Sequence, residues 1–157
     1  MPMVDHSGVE IAYEVRGQEN APTVILCEGL GYGRWMWQWQ VEALTDEYRV
    51  VLWDNRGTGE SAVPDAPYSI AEMADDLEAV LDVTETAAAH IVGASMGGMV
   101  ALQYAVEYDR AASLTLMCTS PGGEDAVPTP RRRWHECSLS QRMRVNAKRS
   151  GSRWPLR

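Results

Sequence analysis

The stretch "HIVGASMGGMVALQYA", residues 90–105, restricts the fold more than any other part of this 157-residue chain. The run "AHIVGAS" (89–95) reads as a buried strand, and "MGGMVALQYAVEYD" (96–109) has no helix breaker beyond its glycines. Strand and helix meet at Gly93-Ala94-Ser95-Met96-Gly97, with Gly98 following. A turn this tight leaves no room for side chains two positions either side of the serine, and glycine at 93 and 97 relieves the crowding. The serine is then lifted above the sheet edge, beside a helix N-terminus whose amides and dipole favour negative charge. As five letters alone, G-x-S-x-G is a weak signal that a plain glycine-rich turn would also satisfy. Between a buried strand and a helix it is the setting of a nucleophile.

The flanking sequence repeats the alternation. "VEIAYEV" (9–15) switches apolar and polar positions like a half-exposed strand. "TVILCEG" (23–29), "YRVVLWD" (48–54) and "AASLTLMCTS" (111–120) are continuous apolar runs, as expected of strands covered on both faces. "SIAEMADDLEAVLDV" (69–83) sets Ile70, Met73, Leu77, Val80 and Leu81 on one helical face, with Ser69 and Glu72 placed to form a capping box. Strands alternating with helices predict an α/β fold: a mostly parallel sheet with helices on both faces.

Two further segments follow predicted strands. "CEGLGYGRWMWQW" has glycines at 29, 31 and 33, a loop able to bring a backbone amide, that of Leu30, towards the serine. Of Trp35, Trp37 and Trp39, at least one is expected to anchor the core. "WDNRGTGES" (53–61) is read as an ion-paired, glycine-tightened loop that holds the face together, Asp54 and Arg56 being structural and not catalytic.

These three motifs, in this order, resemble the α/β-hydrolase fold family, and within it the esterase, lipase and lactonase-like serine hydrolases. The resemblance covers about residues 8–123, the N-terminal part of such a domain, and implies a chain that stops after about the sixth strand. By that resemblance Ser95 is the catalytic nucleophile, the amides of Leu30 and Met96 form the oxyanion hole, and Gly29, Gly93, Gly97 and Gly98 support the motifs. It implies a small-molecule acyl substrate, an ester, lactone or similar, with no cofactor, no metal, no nucleic acid and no membrane as partners. Glu28 is a departure, because the family commonly has histidine there; its carboxylate is expected to point away from the oxyanion or to serve a different substrate polarity. The family's acid and histidine follow the serine in the chain. His6 and His90 precede Ser95, and His135 lies in "PRRRWHECSLSQ" with no strand before it. The expectation is therefore an impaired or inactive fragment of a hydrolase; the alternative is a non-catalytic binding protein or pseudoenzyme of the same fold.

Charge divides the chain in two. Residues 1–130 carry 21 Asp and Glu against 5 Arg and no Lys; residues 131–157 carry 1 Glu against 9 Lys and Arg. The body is placed at 1–123 and an atypical, irregular basic tail at 124–157, within which residues 131–157 are read as a frameshifted translation and not as a nucleic-acid arm. With no basic, apolar leader, and with Cys27 and Cys118 expected as small buried residues, the chain is expected in a reducing cytoplasm.

Overall fold

The computed structural model of the chain describes residues 1–65 and 67–122. The sequence readings of the tail, His135 included, lie outside the described residues.

Six strands form one sheet in the order β1-β2-β4-β3-β5-β6. β1 (Met3–His6) and β2 (Val9–Gly17) make an antiparallel hairpin. Its two-residue turn, Ser7-Gly8, has positive φ at both positions (53° and 81°), which matches the twist of the strands it joins. β2 runs antiparallel to β4 (Arg49–Trp53). From there β4, β3 (Thr23–Cys27), β5 (Ala89–Ala94) and β6 (Ala111–Met117) are all parallel.

The continuous apolar runs of β3 and β4 follow from burial on both faces, whereas that of β6 has no buried residue, contrary to the expectation for 111–120. In β3 and β4, Ile25, Cys27, Val51 and Trp53 face one core, together with Met73, Leu77 and Leu81 of α2 (Ile70–Val83) and Val100 and Tyr104 of α3 (Met96–Glu107). The alternate residues Val24, Leu26, Val50 and Leu52 face a second core closed by Trp37 and Val41. Trp37 ends a 3₁₀ turn (Arg34–Trp37) that runs into α1 (Gln38–Leu44). One tryptophan therefore anchors the core as expected, while Trp35 and Trp39 are exposed. Cys27 is buried, but Cys118 is exposed: β6 stops at Met117, and Cys118 turns away from the sheet with φ 50°. Among the described residues β6 pairs only with β5, so Leu116 and Met117 stand exposed at the sheet edge.

The capping box of α2 is present. Ser69 Oγ accepts the amide of Glu72 at 3.1 Å, and the Glu72 carboxylate accepts the amide of Ser69 at 2.7 Å. The Ser69 amide and the Ser69 hydroxyl, which donates to the same carboxylate at 2.8 Å, hold the Glu72 carboxyl below its usual range. Ser69→Ala is expected to lower stability by about 1 kcal/mol, seen as an earlier urea midpoint with an unchanged slope. An unmoved midpoint would mean that tertiary packing alone sets where α2 begins.

Candidate active site

The parallel strands bring the sequence motifs to one end of the sheet. Cys27 of β3 lies opposite Gly93 of β5, and Ala94 lies opposite Met117 of β6. The loops leaving β3, β5 and β6 therefore meet, as expected for a site at the carboxyl ends of an open parallel sheet.

Ser95 ends β5 and caps α3 with φ 53° and ψ −114°, a left-handed conformation that a non-glycine residue holds only at a cost of about 1–3 kcal/mol. The surroundings impose that conformation. The Ser95 amide donates to the Met117 carbonyl at 2.8 Å, and its carbonyl accepts from Thr119 Oγ1 at 2.7 Å and from the Gly98 amide at 3.0 Å. The side chain is exposed. A Cβ at Gly93 would sit 2.5 Å from the Gly97 carbonyl oxygen, and one at Gly98 would sit 2.6 Å from Thr119 Cβ. The glycines thus let α3 dock on β5 and on the exit of β6. Met96 is the first residue of α3, so its amide has no acceptor within the helix and points forward of the N-terminus.

The loop after β3 runs alongside. A Cβ at Gly29 would lie 3.5 Å from the Ala94 carbonyl oxygen and 3.7 Å from Ser95 Cβ. Leu30 follows in a turn closed by the Tyr32 amide on the Gly29 carbonyl at 3.1 Å, with Gly31 at φ 80°. The backbone of residues 29 and 30 is therefore next to Ser95, and Leu30 is partly exposed there. The rings of Tyr32 and Trp35 pack together at 5.4 Å between centroids.

Glu28 is completely buried. Its Oε1 accepts the amide of Asn55 at 2.6 Å, so the carboxyl reaches the exit of β4. Burial pushes its pKa well above the carboxylate range, and the charge of Asp54 adds to the rise, against partial relief from the Asn55 bond and from Arg34. Sequence reasoning placed a charge at residue 28 and so missed that its carboxyl is enclosed. The available signal was its position at the end of an unbroken apolar run, "TVILCE".

Asp54 and Arg56 are ion-paired, though with different elements. Asp54 accepts the Arg34 amide at 2.7 Å, the Glu60 amide at 3.0 Å, and the Arg34 guanidinium. Gly33 and Gly59 press directly on this carboxylate, which ties the end of the β3 loop to the β4 loop. Arg56 instead reaches α2, donating to Asp76 at 2.6 and 2.8 Å. A concavity of about 590 Å³ beside this knot is lined by Glu14, Arg34, Trp35, Asp54 and Glu60, without Ser95 or Leu30. Its walls are ion pairs already closed, so the loop junction at Ser95 is the better candidate for chemistry.

The two described histidines are engaged elsewhere. His6 Nδ1 lies 2.8 Å from Asp76 Oδ1, and His90 Nδ1 lies 2.8 Å from Ser113 Oγ. His90 is the second residue of β5, about 16 Å along the strand from Ser95. Among the described residues no group of three or more His, Cys, Asp and Glu could hold a metal, and no helix is long and apolar enough to cross a membrane.

Comparison with known proteins bears on the fold. The family model described as alpha/beta hydrolase fold matches residues 22–148. The provisionally named carbamate hydrolase RutD of Variovorax paradoxus (strain S110) is 46% identical over 108 residues, 67% of this chain and 41% of that protein. The 3-oxoadipate enol-lactonase 1 of Acinetobacter baylyi is 37% identical over 100 residues, 64% of this chain and 37% of that one. Among solved structures, an enol-lactonase from Burkholderia xenovorans LB400 superposes with a TM-score of 0.73 at 34% identity, covering 76% of this chain and 47% of that one. The chain thus spans about two fifths of the length of the curated relatives it matches.

Proposed function

As this chain belongs to the alpha/beta hydrolase fold family, we propose that it carries the nucleophile half of a serine hydrolase acting on an ester, lactone or similar acyl substrate. In this reading Ser95 Oγ gives up its proton to a base and attacks the acyl carbon. The oxyanion so formed is held by the amides of Leu30 and Met96; the leaving oxygen departs with a proton, and water then releases the acyl group. The observation that supports it most is the left-handed Ser95 at the start of α3, with the Gly29–Leu30 backbone against it.

Among the described residues, the base is the missing part. Neither described histidine faces Ser95, and neither the acid nor the histidine of a triad is found beside it among the described residues. We therefore read the chain by itself as an impaired hydrolase, limited to the roughly 10³–10⁴-fold acceleration that binding and an oxyanion hole supply without a triad. The same observation favours a second reading, a non-catalytic binding protein of this fold.

A fluorophosphonate probe separates the two. Slow labelling located on Ser95, and lost in Ser95→Ala, is the expected result for the hydrolase. Folded protein that takes up no label, and accelerates no aryl ester, is the result expected of the binding protein.

A further inference from the structure

We propose that Glu28 is a positioning residue for the oxyanion loop: a neutral carboxylic acid, buried beneath Gly29 and Leu30, whose Oε1 fastens that loop to the amide of Asn55. The role rests on the reading of Ser95 as a nucleophile, since the loop matters through what it presents to that serine.

The geometry requires the neutral form. Glu28 has no exposed surface, and only its Oε1 has a partner, the Asn55 amide at 2.6 Å; Oε2 has none among the described residues. A carboxylate in that setting would be a buried charge with half its hydrogen-bonding capacity unused. Among the described residues no cation is free to compensate it. The nearby Arg34 is closed onto Asp54, with Glu14 at 3.8 Å and Glu60 at 3.6 Å around it. The titratable groups that face Glu28 are Cys27 on its own strand, Asp54 at the exit of β4, and Arg34 beyond its own loop. From α3 it meets the backbone of Gly97, which carries no charge. Asp54 repels a second negative charge, and burial acts in the same direction.

The position of that neutral acid matters for the site. Glu28 lies between a backbone wedged against Gly97 of α3 and a side chain pinned to Asn55. Both attachments fix residue 28, and with it the direction in which Gly29 and Leu30 leave β3. A negative charge here would strain the pin and would also oppose an oxyanion forming two residues away. One carboxyl therefore couples loop position to protonation.

The sign for stability follows. The folded pKa is raised, so stability is greatest below the ordinary carboxyl pKa and falls as pH rises towards the folded value. Glu28→Gln cannot ionise and lacks that loss. Two measurements on the full chain test the proposal, each from about pH 5 to about pH 9. In the first, the unfolding midpoint of Glu28→Gln should rise relative to wild type as pH increases. In the second, the Ser95 labelling rate of Glu28→Gln, divided by that of wild type, should climb as the wild-type carboxyl ionises in the folded chain, by about tenfold when ionisation is complete. Glu28→Met, uncharged and of similar volume but without an oxygen for the Asn55 amide, should share the rising midpoint difference and serves there if the glutamine variant does not fold. Its Ser95 labelling should be slower than wild type even at about pH 5, because the pin is lost. A purely structural residue would move both rates equally at every pH. A flat midpoint difference overturns the neutral acid. A sloping midpoint difference with Glu28→Met labelled as fast as wild type at about pH 5 overturns the positioning role alone. No labelling of any folded variant overturns the nucleophile reading, and the positioning role with it.

Discussion

Asp76→Ala is expected to destabilise the protein by about 3–5 kcal/mol, the range for breaking a buried ion pair from one side. Asp76 is fully buried on the face of α2 that otherwise presents Met73, Leu77 and Val80. Its two oxygens receive Arg56 Nε at 2.6 Å and Nη2 at 2.8 Å, and His6 Nδ1 lies 2.8 Å from Oδ1. Without it the Arg56 guanidinium, only 6% exposed, keeps just Glu72, whose side chain is 47% exposed. The cost is thus the stranded guanidinium rather than the lost attraction. Asp76→Asn should lose less, because one oxygen and the shape remain. Replacing both partners by apolar residues of similar volume should recover much of the loss. Urea unfolding of the three variants measures this; a loss in Asp76→Ala below about 1 kcal/mol would mean water reaches Arg56. Because Arg56 follows Asp54 and Asn55 directly, the damage should also reach the loops around Ser95.

How much of this was legible in the sequence depends on what each residue reports. β3, β4 and β5 announce themselves because helices cover both faces, so every residue of Thr23–Cys27 is buried and none alternates. The elbow is legible for a related reason: Gly93, Gly97 and Gly98 mark places where backbone meets backbone or a packed side chain. β1 is not legible, since its four residues, MVDH, become a strand only by pairing with β2. α1 is equally silent; it buries only Val41 and offers no apolar stripe. Partners across the fold were invisible as well. The sequence suggested an ion-paired loop at 53–61, but nothing in it joins Asp54 to Arg34 or Arg56 to Asp76. Glu28 shows the same limit at the site, where only the fold reveals that its carboxyl is enclosed.

The sharpest test of the elbow is Gly97→Ala, expected to lower stability by about 3 kcal/mol and to abolish labelling of Ser95. Intrinsic preference alone points the other way. Gly97 lies in the first turn of α3 with an ordinary helical backbone, so alanine would gain up to about 1 kcal/mol if the position were free. It is not free. The new Cβ would overlap the Cys27 carbonyl and sit 2.6 Å from the Glu28 carbonyl oxygen. Both are backbone atoms at the end of a central strand paired on each side, so neither can rotate aside. Relief requires α3 to lift from the sheet, which carries the Met96 amide away from Leu30 and releases the bonds that hold Ser95 left-handed. Stability and labelling should therefore fall together in Gly97→Ala, whereas Ser95→Ala should lose its label and keep its fold. A Gly97→Ala protein as stable as wild type would show that helix and strand do not touch here, and the close approach that shapes the nucleophile's turn would be lost as an explanation.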